Sequence, residues 1–197
     1  MKRILFFALA FVLLGSLAIA KPKKPAPTPP EGHINWISMD ELQGKMRQAP
    51  KRVYIDMYTD WCGWCKKMEA TTFTQADVAA YMNANFYCVR FNAERKDTIR
   101  FMGKQYYFDP ERRAHTLAIE WMHGQMSYPT SVFMDPYFQN PNPIPGYQDV
   151  KTMEMLLRFF CEVPNRNQAT WEAYQKSFSP TWGMSGPVTS EYPPIGH

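Results

Sequence analysis

Two thiols spaced two residues apart carry the chemistry of this chain: Cys62 and Cys65, in Trp61-Cys62-Gly63-Trp64-Cys65-Lys66. An apolar run, Val53-Tyr54-Ile55-Asp56-Met57-Tyr58, precedes them, and a segment of helical character, residues 66–70, follows. At a strand-to-helix junction the first thiol meets the unpaired N–H groups of the first turn, which favour its thiolate. The second thiol lies one turn inside, within reach of a mixed disulfide formed by the first. Such a pair is a two-electron redox switch. A structural zinc site is the alternative, and it needs two further ligands at compatible spacing. Cys88 and Cys161 are isolated, and His33, His115, His123 and His197 form no close ligand pair, so no metal site is expected.

The elements that must hold this pair are legible in outline. Residues 34–37 suit a short strand, and Ser38-Met39-Asp40-Glu41 has the form of a capping box opening a helix that ends near Gln48-Ala49-Pro50. Residues 53–58 read as a central strand covered on both faces. Thr74 is expected to cap a helix over 75–83, with a strand over 86–91 after it. Residues 92–114 are longer and more polar than a minimal domain of this kind needs, and read as an insertion leading into a helix over 114–122. Its aromatics, Phe101, Tyr106, Tyr107 and Phe108, are expected to pack the insertion onto the domain. Pro129 enters a β-branched and aromatic run through Asp135, where proline is confined to a strand start or an edge. Residues 140–146 (NPNPIPG) read as a turn joining two antiparallel strands. Asp149 caps a last core helix over 150–161, and Trp171, Tyr174 and Phe178 mark one face of a short amphipathic helix expected to dock on the domain. Alternating strands and helices imply a largely parallel α/β sheet with crossovers.

Residues 56–66, D-M-Y-T-D-W-C-G-W-C-K, resemble the active-site segment of the thioredoxin superfamily. Trp64 stands where that family usually carries proline. Within it, Cys62, Cys65, Lys66, Glu69, Thr72-Phe73 and Asp77 are most similar to periplasmic thioredoxin-like domains such as the C-terminal domain of DsbD. The resemblance spans about residues 34–163 and is strongest around Cys62 and Pro129. It implies a thioredoxin-like fold: a central mixed β-sheet flanked by helices, with an insertion before a cis-proline block and a C-terminal extension. It also implies that Tyr128-Pro129 is a cis peptide beside the cysteines, with the Tyr128 main chain free to pair with an extended substrate. By the same resemblance Asp56 is a buried acid–base carboxylate that accepts the proton of Cys65.

On this reading Cys62 is the exposed nucleophile, assisted by Lys66 and Lys67, and Cys65 resolves the mixed disulfide. Trp61 shields one side of the pair, Gly63 and Trp64 separate the thiols, and Glu69 is a solvated helix residue. Cys88 is an inert buried thiol; pairing of Cys88 with Cys161 is the alternative. The expected activity is thiol–disulfide exchange with protein thiols and disulfides, in the direction of a reductase or electron relay, with no cofactor beyond the Cys62/Cys65 disulfide. A disulfide oxidase or isomerase is the alternative within that class, and a Cu(I)-binding metallochaperone the alternative outside it.

The ends of the chain bear on location. Met1-Lys2-Arg3, an apolar run and a small-residue ending at Ala18-Ile19-Ala20 form a secretory signal peptide cleaved after Ala20; an uncleaved N-terminal membrane anchor is the alternative. Residues 21–33 are a Pro/Lys-rich tether, 34–163 the domain, and 164–197 a partly disordered extension. The expected setting is the periplasm, with a membrane or periplasmic electron donor and a monomeric protein. The balance of 22 Lys and Arg against 18 Asp and Glu gives no indication of nucleic-acid binding.

Overall fold

The structure is a computed structural model describing residues 32–183. The expected signal peptide, nearly all of the tether and residues 184–197 lie outside the described residues. In chain order the elements are α1 (Met39–Gln48), β1 (Arg52–Tyr58), α2 (Gly63–Thr71), α3 (Ala76–Asn85) and β2 (Phe86–Asn92). The insertion contributes β3 (Ile99–Phe101), β4 (Lys104–Tyr106), β5 (Phe108–Asp109) and β6 (Ala114–His115). Then come α4 (Thr116–Trp121), β7 (Thr130–Met134), β8 (Asn142–Pro145), α5 (Val150–Glu162) and α6 (Gln168–Ser177).

The main sheet has the order β2-β1-β7-β8, with β1 and β2 parallel and the other neighbours antiparallel. The sheet is therefore mixed, as the family resemblance implied, rather than largely parallel. Its two faces follow from the two-residue side-chain period of a strand. Val53, Ile55 and Met57 of β1 join a core with α1, the β3–β4 hairpin and α4. Tyr54 points the other way, into a core built with α2, α3 and α5, where Phe133 and Phe160 stack at 4.2 Å. Asp56, two residues after Tyr54, is buried on that same face, beneath the helix that carries the cysteines.

Several boundaries differ from expectation, each for a local reason. Residues 34–37 form no strand; a single parallel bridge, Trp36 to Cys88, lays them beside β2. Thr74 caps nothing: its hydroxyl bonds back to the Ala70 carbonyl at 2.9 Å, and Gln75 opens α3 without a side-chain cap. Ala114 and His115 pair with β5, and the His115 imidazole then caps α4 through its bond from Leu117 N–H. Residues 142–145, read as part of a turn, are themselves the edge strand β8. Prolines are tolerated there because an edge strand has one unpaired side.

The capping box at Ser38 and Glu41 and the Asp149 cap of α5 form as read. In the insertion Phe101 and Tyr106 are buried while Tyr107 is exposed, so the packing expectation holds for part of the set. Helix α6 docks on α5 through Trp171 and Tyr174 against Phe159. Beyond it, the buried Glu154 carboxylate accepts from Thr181 N–H, Thr181 O–H and Trp182 N–H, at 2.8, 2.6 and 2.8 Å. This clamp seats Trp182 in the core.

Candidate active site

Strand β1 delivers the chain to the surface, and Cys62 is the N-cap residue of α2. Its sulfur accepts a hydrogen bond from Cys65 N–H at 3.0 Å, so a first-turn amide addresses the atom that would carry the thiolate charge. Cys62 and Cys65 form a disulfide, with S–S 2.06 Å and Cα–Cα 5.3 Å. Cys62 is 4% exposed and Cys65 2%, which corrects the expectation of an exposed nucleophile. Bonded to Cys65 and turned in as the cap, the Cys62 sulfur does not face solvent in the oxidised state. The two thiols therefore differ by their place in the helix, not by exposure. Lys66 is exposed, and Lys67 lies over the rings of Trp64 and Tyr147, at 4.9 and 5.4 Å. A Cβ added at Gly63 would meet nothing within 4 Å, so packing does not demand glycine there.

Asp56 is 1% exposed, and burial pushes its carboxyl up to about 6, against the opposing pull of the Arg90 guanidinium. Arg90 Nε bonds one carboxylate oxygen at 3.1 Å, while the other, Oδ1, has no partner among the described residues. That free oxygen is the place for a proton. Arg90 is itself raised: burial works to lower it, and the carboxylates of Asp56 and Glu69 outweigh burial. Glu69 is thus more than a solvated helix residue. It is exposed, yet its carboxylate closes an Asp56–Arg90–Glu69 chain running from the core to the surface of α2. Sequence reasoning missed Arg90. Its signal was a lone cation in the otherwise apolar run FYCVRF, in register with Asp56 on the neighbouring strand.

The third wall is the loop before β7. Tyr128–Pro129 is a cis peptide, as the resemblance implied. Pro129 is buried, and its carbonyl accepts from Gly146 N–H at 2.8 Å, which ties the loop to the end of β8. Tyr128 is half-buried, edge-on to Trp61 at 5.9 Å, and burial followed by the Glu94 charge pushes its phenol up to about 12. Trp61 is 66% exposed and donates its indole N–H to Glu94 at 3.1 Å. Trp64 packs against Tyr147 at 5.6 Å and stays 49% exposed. Two indoles thus project on either side of the disulfide, a surface suited to contact with another polypeptide.

Cys88 and Cys161 are both free. Burial pushes the Cys88 thiol well up, which makes it a poor nucleophile. Among the described residues no group of three or more His, Cys, Asp or Glu side chains is placed to hold a metal ion.

A helix-capping thiol, a partner thiol one turn on, a buried carboxyl below and a cis-proline loop alongside make a complete thioredoxin-type arrangement. The Thioredox_DsbH family model, described as a protein of unknown function, DUF255, matches residues 30–181. The chain belongs to this family. Its fold is thioredoxin-like. A solved structure titled DsbH oxidoreductase is 14% identical, covering 73% of this chain and 96% of that one at TM-score 0.48. The reduced DsbD C-terminal domain of Neisseria meningitidis is 20% identical, over 64% of this chain and 96% of that one, at TM-score 0.40. A putative disulphide-isomerase from Bacteroides thetaiotaomicron is 19% identical, over 70% and 100%, at TM-score 0.48. No curated protein matches the chain.

Proposed function

We propose that this protein is an exported thiol–disulfide oxidoreductase acting on protein disulfides as a reductase or electron relay. The observation that carries the reading is the Cys65 N–H bonded to the Cys62 sulfur at a helix start, with both thiols able to close a disulfide. In the dithiol form the Cys62 thiolate attacks a substrate disulfide. The Cys62–substrate S–S bond forms, the substrate's own S–S bond breaks, and the departing sulfur takes a proton. Cys65 gives its proton to Asp56 and attacks Cys62. The mixed disulfide breaks, the second substrate thiolate leaves, and Cys62–Cys65 closes. Substrate is reduced by two electrons and the dithiol oxidised by two. The raised carboxyl of Asp56 and its unpartnered oxygen suit it as proton acceptor near neutral pH.

The reducing direction is carried over from the sequence resemblance of residues 56–66 to thioredoxin-like domains such as the C-terminal domain of DsbD. Export rests on residues 1–20, and the electron donor is accordingly a membrane or periplasmic dithiol. Among the described residues no helix is long and apolar enough to cross a membrane. The test is reduction of insulin by the dithiol protein, together with equilibration against glutathione. Insulin reduction lost in Cys62→Ser, with a potential nearer about −270 than about −120 mV, supports the reading. Failure to reduce either insulin or a small disulfide ends it.

A further inference from the structure

Beside the disulfide the insertion builds a groove of about 340 Å³, bordered by Trp61, Tyr128, Met126, Glu94, Arg112 and Arg113. We propose that the turn carrying Arg112 and Arg113 selects disulfide-bearing polypeptide segments with Asp or Glu next to the reacting cysteine. This rests on the oxidoreductase reading above and adds a substrate class to it. The two arginines are exposed and form no ion pair with any described residue, although Glu94 borders the same groove. Glu94 accepts from the Trp61 indole through Oε2 and keeps its charge, so the groove presents two guanidiniums without an ion-pair partner against one carboxylate, a net positive balance.

Neither acidic residue of the turn, Asp109 or Glu111, borders the groove. Asp109 Oδ1 accepts from Glu111 N–H and Arg112 N–H at 2.9 and 3.2 Å, holding the turn from within. The turn is also fixed in place. Its strands pair at Phe108–His115 and Asp109–Ala114, and Arg113 sits in the left-handed region at φ 51°. His115 N–H donates to the Ala93 carbonyl at 2.7 Å, one residue before Glu94. The arginines are thus carried on a braced turn whose base is bonded to the same segment that holds Trp61. The braced backbone fixes where the two side chains leave the turn, and the planar donors of a guanidinium match a carboxylate. Because the groove adjoins Trp61 and Tyr128, the carboxylate it would hold lies close in sequence to the cysteine under attack.

The experiment uses the dithiol protein and three disulfide-bridged peptides that differ only in the residues flanking one cysteine: Asp, Asn or Lys. Apparent second-order reduction rates are measured at low and at high salt, with hydroxyethyl disulfide as an uncharged reference. The acidic peptide should react about tenfold faster than the neutral one at low salt, and the lysine peptide slower than both. The preference should collapse at about 1 M salt, where screening acts within about 3 Å. In the Arg112→Gln/Arg113→Gln double variant the acidic-to-neutral ratio should fall to about one. In Arg112→Glu/Arg113→Glu it should invert. Equal rates for all three peptides in the unmodified protein, or a preference that survives charge reversal, would overturn the proposal. Failure of the unmodified protein to reduce even hydroxyethyl disulfide would instead sink the oxidoreductase reading.

Discussion

Replacing Asp56 by Asn should make the oxidised protein more stable at neutral pH, by an amount the structure fixes. The Asp56 carboxyl is fully buried and its pKa is raised from the ordinary 3.8 to about 6. The folded protein therefore holds this proton more tightly than the unfolded chain does. Stability from that source is complete below about pH 4 and is lost as the pH rises through about 6. A gap of about two pH units at about 1.4 kcal/mol each gives about 3 kcal/mol. Asn imitates the neutral acid and cannot ionise. The pull of Arg90 is already contained in the folded value, so it need not be subtracted again. Urea unfolding of both proteins with the disulfide intact, from pH 4 to pH 8, measures the difference. The stability of Asp56→Asn relative to the parent should rise by about 2.5 kcal/mol between pH 4 and pH 7.5, the rest of the gap lying below pH 4. Parallel profiles, or a relative loss on raising the pH, would show that the carboxyl is not held protonated by burial. The same variant should keep the first attack on a disulfide and slow product release about 100-fold, since only resolution uses the proton acceptor.

Arg90→Met removes the cation that restrains Asp56, so the carboxyl should titrate higher still, and the pH dependence of resolution should move upward with it; pH–rate profiles of single turnovers read this directly. Gly63→Ala, at the first position of α2 with open space around it, should fold normally and gain about 0.4–1 kcal/mol in chemical denaturation by restricting the unfolded chain. Glu154→Ala strands three donors of the C-terminal segment and the Arg158 partner, and should cost about 3 kcal/mol. Amide exchange at Thr181 and Trp182 should lose its protection in that variant.

The redox pair was readable from its spacing, whereas the cis-proline loop and the buried acid were legible through the family resemblance, carried by a proline at a strand start and a lone carboxylate in an apolar run. Position in a helix fixes which thiol caps it whatever the rest of the fold does. What could not be read were features set by distant partners. Arg90 meets Asp56 only because β2 lies parallel to β1 in one register, and Glu69 joins them only once α2 crosses that face. Cys62 is buried in the disulfide form, which spacing alone does not show. Residues 142–145 carry turn composition yet pair with β7, since an edge position removes the usual cost of proline in a sheet. Glu154 is held by Thr181 and Trp182, partners that lie well beyond α5 in the chain.

Trapping with Cys65→Ala tests the central claim most directly. Without its resolving partner, Cys62 should still attack a disulfide-bridged peptide and then stall, leaving one peptide per protein. Peptide mass spectrometry should place that adduct on Cys62, and Cys62→Ala should form none. An adduct found on Cys88 or Cys161, or no adduct while the unmodified dithiol protein turns over, would contradict the assignment of Cys62 as the attacking thiol.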